Sequence, residues 1–201
     1  MKLIAVTNDQ MTTAQLLETL LTIEADIDAV ILREKSKTDA EMVDLIQKLG
    51  ESGFDQSKII IHGRADMAVL TGILQVQLPG HSLPLAQVKK HFPNIAFGRS
   101  VHSFKEAEAA YQAGADWLLY GHVFTTASKE GLPPRGTTEL IQIATQLPVP
   151  VYAIGGIRSE HLPSLQRAGI SGVAFMSAIF NSHEPVTAIA AYKEASHVTP
   201  C

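Results

Sequence analysis

Pro150-Val151-Tyr152-Ala153-Ile154-Gly155-Gly156-Ile157 reads as a short apolar strand that runs into two glycines. Gly172-Val173-Ala174-Phe175-Met176-Ser177-Ala178-Ile179 repeats the pattern, with a serine where the glycine pair stood. In both, backbone N–H groups face out of the strand's C-terminal end with a helix beginning behind them, which is how a chain holds phosphate. Gly155 and Gly156 carry no Cβ to keep an anion away, and Ser177 adds a hydroxyl beside the partial positive charge of a helix N-terminus. A single turn of this kind would be an ordinary strand-to-helix connection. Two in succession match the last two strand ends of an eight-stranded α/β barrel, where a phosphate site commonly sits.

Working outward, short β-branched runs alternate with amphipathic stretches along the whole chain, which implies parallel strands joined by helices. Strands are predicted at 2–6, 27–32, 58–61, 73–78, 95–98, 116–120 and 151–154, with an eighth starting at Gly172. The count predicts a closed (β/α)8 TIM barrel, occupying 1–201 as one domain. Thr12 or Thr13 caps the first helix, and Thr38 with Glu41 three residues on forms a capping box for the second. Gly114 ends the helix over 104–113 as a left-handed stop. The irregular segment 121–136 is long for a compact domain, and such loops tend to be functional.

Composition narrows the function. With 46% hydrophobic and 18% charged residues the chain is globular. Its net charge of −4 without a basic block gives nucleic acid no electrostatic foothold. No apolar run approaches the ~18 residues of a membrane span, and Met1-Lys2-Leu3-Ile4 enters a strand pattern directly, so a cytoplasmic protein acting on small molecules is expected. The single Cys201 fits a reducing compartment and receives no function. A homodimer is compatible with this reading.

Strand two ends in Arg33-Glu34-Lys35. Such a triplet is commonly a solvated charge run, but at a strand's C-terminal end two inward cations would hold an anionic substrate. Side-chain alternation sends Glu34 the other way, into a structural pair. Four histidines, His62, His81, His102 and His122, follow strand ends. Neither H-x-H nor H-E-x-x-H occurs, so no metal site is expected. Three of the four are given structural roles. His122, which opens the loop containing Thr125, Thr126, Ser128 and Lys129, is the candidate for moving protons at neutral pH.

These residues resemble the thiamine phosphate synthase-like barrels over nearly the whole chain. The carriers are Leu32-Arg33-Glu34-Lys35, Gly98-Arg99-Ser100-Val101-His102-Ser103, Gly114-Ala115-Asp116, Gly121-His122-Val123-Phe124-Thr125-Thr126, Ala153-Ile154-Gly155-Gly156-Ile157 and Ser177-Ala178-Ile179. Three departures stand out. The synthase Asn-Asp after strand three is His62-Gly63, its Gln-Glu-Asp after strand four is Gly80-His81-Ser82, and the Gln opening its Gln-Leu-Arg-Glu-Lys motif is Ile31. Both magnesium carboxylates are therefore missing, while the thiazole phosphate half of the site remains. That combination resembles thiazole tautomerase, an isomerase of thiamine biosynthesis that aromatises a carboxythiazole phosphate by proton transfer alone, without cofactor or metal. On this resemblance His122 and Lys35 are the catalytic pair. Arg33, Phe124, Thr125, Thr126, Gly155, Gly156, Met176 and Ser177 bind the phosphorylated thiazole. The alternatives are a magnesium-dependent thiamine phosphate synthase, a transferase, and a non-catalytic regulator that binds thiazole phosphate.

Overall fold

The computed structural model describes residues 1–196, and in it eight parallel strands close into a barrel in chain order. They are β1 Lys2–Val6, β2 Ala29–Leu32, β3 Ile59–His62, β4 Gln75–Leu78, β5 Ala96–Val101, β6 Trp117–Gly121, β7 Val151–Ile154 and β8 Gly172–Phe175. The ring is sealed where β1 pairs with β8, Lys2 opposite Gly172 and Ala5 opposite Phe175. The connecting helices are α1 Thr13–Ile23, α2 Asp39–Glu51, α3 Ala65–Thr71, α4 Leu85–His91, α5 Phe104–Gln112, α6 Thr138–Gln146 and α7 Leu162–Arg167. After β8 come the short α8 Ser177–Phe180 and the closing α9 Pro185–Ser196. This is the (β/α)8 barrel that the eight repeated units predict. Cys201 lies outside the described residues. Among the described residues no helix is long and apolar enough to cross a membrane.

Strand alternation builds two cores. Residues such as Leu3, Val30, Leu118, Ala153 and Val173 point outward and pack beneath the helices. Ile4, Val6, Ile31, Ile60, Trp117, Leu119, Tyr152 and Ala174 point inward and fill the barrel. Trp117 fits only because β5 gives way to it, since a Cβ on Gly98 would lie 1.9 Å from Trp117 Nε1. The indole N–H is then satisfied inside the barrel by Gln77 Oε1 at 2.7 Å.

The expected capping box forms at Thr38 with Glu41, and of the two candidates for α1 it is Thr12 that caps the helix, in a further box with Gln15. Gly114, at φ +86°, follows α5 in the left-handed region. Two elements depart from the sequence-based expectation. The strand β5 runs on to Val101, three residues beyond the predicted end. Helix α4 was not predicted, because it buries just Leu85 and Val88 and ends in Lys89-Lys90-His91, which leaves little periodic signal. The segment 121–136 stays irregular but is not loose. Its ends are tied where the Arg135 N–H donates to His122 O and the Gly136 N–H to Val123 O, each at 3.0 Å.

Candidate active site

The C-terminal ends of the strands enclose a cavity of about 370 Å³ at the mouth of the barrel. At β2, Arg33 and Lys35 both line it. Glu34 between them turns away, its carboxylate 1% exposed, and pairs with Lys37. Lys37 also donates to Met11 O at 2.9 Å, and Glu34 Oε1 accepts the Asp9 N–H at 3.2 Å. The β1–α1 and β2–α2 loops are thereby locked together, which aims the two cations. Lys129 joins them from the opposite wall. Among the described residues no carboxylate lines the cavity and none pairs with Arg33, Lys35 or Lys129. The cavity is therefore electropositive and open to an anion.

The ends of β7 and β8 bring Gly155, Gly156, Met176 and Ser177 to the same cavity. The start of α8 has no side-chain cap, and among the described residues nothing accepts the N–H groups of Gly156, Ser177 or Ala178. An oxyanion would satisfy them. The two glycines also have a second reason to be there. Both have positive φ, +100° and +64°. A Cβ on Gly155 would lie 2.4 Å from His122 Cβ, and one on Gly156 2.3 Å from Thr125 O. Close approach of the β6–α6 loop thus requires glycine at both positions whether or not phosphate binds. Ser177, which is exposed, is the better place to probe the anion.

All four histidines converge on the cavity, although the sequence reading singled out one. His122 is 8% exposed, and its Nε2 lies 3.4 Å from Leu132 O. His102 Nδ1 lies 2.5 Å from Gly121 O. His62 is the most perturbed: burial first, then Arg33, Lys35 and His81, push it down to about 4. The unfolded chain therefore takes a proton at this ring near the ordinary value of ~6.5, while the folded chain resists it. Stability should be full above pH ~6.5 and fall by on the order of 2–3 kcal/mol as the pH drops to ~4. Urea titrations across that range check this, and His62→Asn should flatten the profile. An equally steep fall in the variant would assign the effect elsewhere.

Of the remaining expected ligand contacts, Thr126 lines the cavity and Phe124 and Thr125 do not. Phe124 stacks on His161, ring centroids 4.0 Å apart. Thr125 meets the site through its backbone, against Gly156. Sequence reasoning missed His62, His81, His102, Ser100 and Gln77 as cavity residues. The available signal for His62, Gln77, Ser100 and His102 was inward parity on a strand or just past its end, whereas His81 lies in the β4–α4 loop, where parity gives no signal.

A magnesium ion of the synthase type needs oxygen ligands. At the ends of β3 and β4 the chain offers imidazole at His62 and His81, and the Ser82 hydroxyl is engaged by Arg99. Among the described residues no group of three or more His, Cys, Asp or Glu could hold a metal ion. The donor set does not fit magnesium.

A family model described as thiamine monophosphate synthase matches residues 3–179. The thiamine-phosphate synthase of Anaeromyxobacter dehalogenans is 31% identical over 169 residues, which cover 83% of this chain and 76% of that protein. The thiamine-phosphate synthase of Pyrococcus furiosus is 30% identical over 163 residues, 81% of this chain and 79% of that protein. Among solved structures, the thiamine phosphate pyrophosphorylase from Pyrococcus furiosus superposes with a TM-score of 0.81 at 27% identity, covering 97% of this chain and 95% of that one. These relatives overturn the expectation of an isomerase, because they are named as synthases, which are transferases.

Proposed function

The chain belongs to the thiamine monophosphate synthase family, and from that premise we propose that its barrel mouth is a synthase-type transferase site for thiamine biosynthesis. A phosphorylated thiazole binds with its phosphate at the ends of β7 and β8. A pyrimidine carrying pyrophosphate binds toward β2, β3 and β4, of which β3 and β4 lie across the closed ring from β7 and β8. The observation that carries this reading is the set of cations Arg33, Lys35 and Lys129, which among the described residues have no paired carboxylate and surround a cavity that none lines. Joining the two rings breaks a C–O bond to pyrophosphate, and negative charge grows on the departing oxygens. Arg33 and Lys35, aimed by the buried Glu34 pair, stabilise that charge directly. Lys129 closes over it from the β6–α6 loop, His122 forms a wall against the reacting rings, and Met176 supplies a polarisable surface for the thiazole.

The expected result is formation of thiamine phosphate from the two substrates at a rate that differs less than about threefold between excess magnesium and excess chelator. Activity abolished by chelator and restored by magnesium would show that the cations do not replace the metal. A second reading is favoured by the same replacement of the metal carboxylates by His62-Gly63 and Gly80-His81-Ser82: a regulator that binds thiazole phosphate without turnover. Calorimetric binding of the phosphorylated thiazole with no product in either condition would select it.

A further inference from the structure

The limb that returns from Lys129 toward α6 reads Glu130-Gly131-Leu132-Pro133-Pro134-Arg135-Gly136. Pro133 and Pro134 have no backbone N–H to donate, and Gly131 and Gly136 sit at φ +79° and +73°, so neither helix nor strand forms across it. Residues 127–135 are exposed, so burial does not hold the limb in place either. Its internal hydrogen bonds, from the Lys129 N–H to Thr126 O at 3.0 Å and from the Leu132 N–H to Lys129 O at 3.1 Å, shape the turn without attaching it to the barrel. Attachment falls to Arg135. Its backbone N–H closes the loop on His122 O, and its Nη1 donates to His102 O at 2.7 Å on the neighbouring β5–α5 corner. Among the described residues this is the one hydrogen bond from residues 127–135 to a residue outside the segment 121–136. The carbonyl that it grips is itself fixed. Ser103 caps α5 by accepting the Glu106 N–H, Glu106 Oε2 accepts the His102 N–H at 2.8 Å, and Glu139 Oε1 accepts the Phe104 N–H at 3.2 Å. Among the described residues no carboxylate pairs with Arg135 and draws the guanidinium elsewhere.

We propose that Arg135 is a positioning residue for Lys129: by clamping the return limb to the start of α5, it holds the lysine over the cavity opposite Arg33 and Lys35. Arg135 does not itself line the cavity, so it acts through Lys129 rather than on a ligand. The need for a clamp follows from the charges. Arg33 and Lys35 are set on β2 and its loop, whereas Lys129 rides on an exposed turn, so repulsion among three like charges drives Lys129 outward when no anion is bound. Removing the guanidinium leaves the backbone bond from Arg135 to His122 in place but frees the turn from α5. The ammonium then spends its time in solvent. The inference rests on the synthase-type reading for the role of Lys129 at the pyrophosphate.

The test is calorimetric binding of inorganic pyrophosphate to the wild-type protein, Arg135→Ala, Lys129→Ala and the double variant. Arg135→Ala should weaken pyrophosphate about fivefold on its own and less than about twofold when Lys129 is already Ala, because residues that act through one another are not additive. Arg135→Lys keeps the charge and a donor and should regain part of the loss. The affinity for the phosphorylated thiazole, whose phosphate lies at β7 and β8, should stay unchanged in Arg135→Ala. Equal losses with and without Lys129, no loss in Arg135→Ala, or a loss shared by both ligands overturns the inference while leaving the synthase-type reading in place. Pyrophosphate affinity that is unaffected by Lys129→Ala refutes the role of Lys129 in that reading and removes the inference with it, so the two failures are distinguishable.

Discussion

Replacing Ser177 with Asp is expected to raise the KM for the phosphorylated thiazole by on the order of 100-fold while leaving the fold intact. Ser177 is exposed at the first residue of α8, beside backbone N–H groups that nothing in the described chain accepts. A carboxylate there occupies the anion's place and repels it. Two like charges about 4 Å apart near a protein surface cost ~4 kcal/mol, and solvent screening at an exposed position reduces that toward the expected value. The same carboxylate suits a helix N-terminus, so Tm should hold or rise slightly. Ser177→Ala separates the hydroxyl from the backbone and should cost only a few-fold, as one lost hydrogen bond does. An unchanged KM in Ser177→Asp would move the phosphate away from β7 and β8. Gly156 is a poorer probe, since any side chain there collides with the Thr125 carbonyl and confounds binding with folding.

Replacing Glu34 with Ala should destabilise the protein by ~3–5 kcal/mol, the cost of removing one partner from a buried ion pair. Both side chains are shielded, 1% exposed for Glu34 and 7% for Lys37. Without the carboxylate, Lys37 retains the Met11 carbonyl but no counter-charge, and the Asp9 N–H loses its acceptor. The check is the urea midpoint at unchanged m-value. A loss below ~1 kcal/mol would class the pair with exposed ones. Because Glu34 lies between Arg33 and Lys35, its loss should also loosen their aim, so pyrophosphate affinity should fall although neither cation is altered. Normal affinity in the destabilised variant would mean that the cations are held by β2 alone.

Much of the architecture was legible before any coordinates. Eight apolar runs at regular spacing, Thr38 with Glu41, and Gly114 after α5 are local signals, because strand alternation, helix caps and left-handed stops act over a few residues. The same alternation placed Arg33 and Lys35 on the inner face and Glu34 on the outer one. The parity of His62, Ser100 and His102 was equally available, and these residues were passed over because a single histidine or serine at a strand end carries little weight until its neighbours are known. Helix α4 gave no periodic warning with two buried residues. The reading of an isomerase rested on which carboxylates are missing; the relatives with most of their length in common carry the synthase name instead.

By itself, then, the chain determined the order of its elements, the closure of the barrel and the set of strand ends that could meet. Tertiary structure alone decided what those ends do to one another. Gly155 and Gly156 are required as much by the approach of His122 and Thr125 as by any anion. Burial beside Arg33, Lys35 and His81 moved His62 to about 4. Ser100 accepts from a glutamine on β4 whose amide is oriented by Trp117, 17 positions beyond Ser100 in the chain. The reason is physical: dihedral preference and hydrophobic period are properties of neighbouring residues, whereas desolvation, charge proximity and hydrogen-bond direction are properties of groups that become neighbours only when the ring closes.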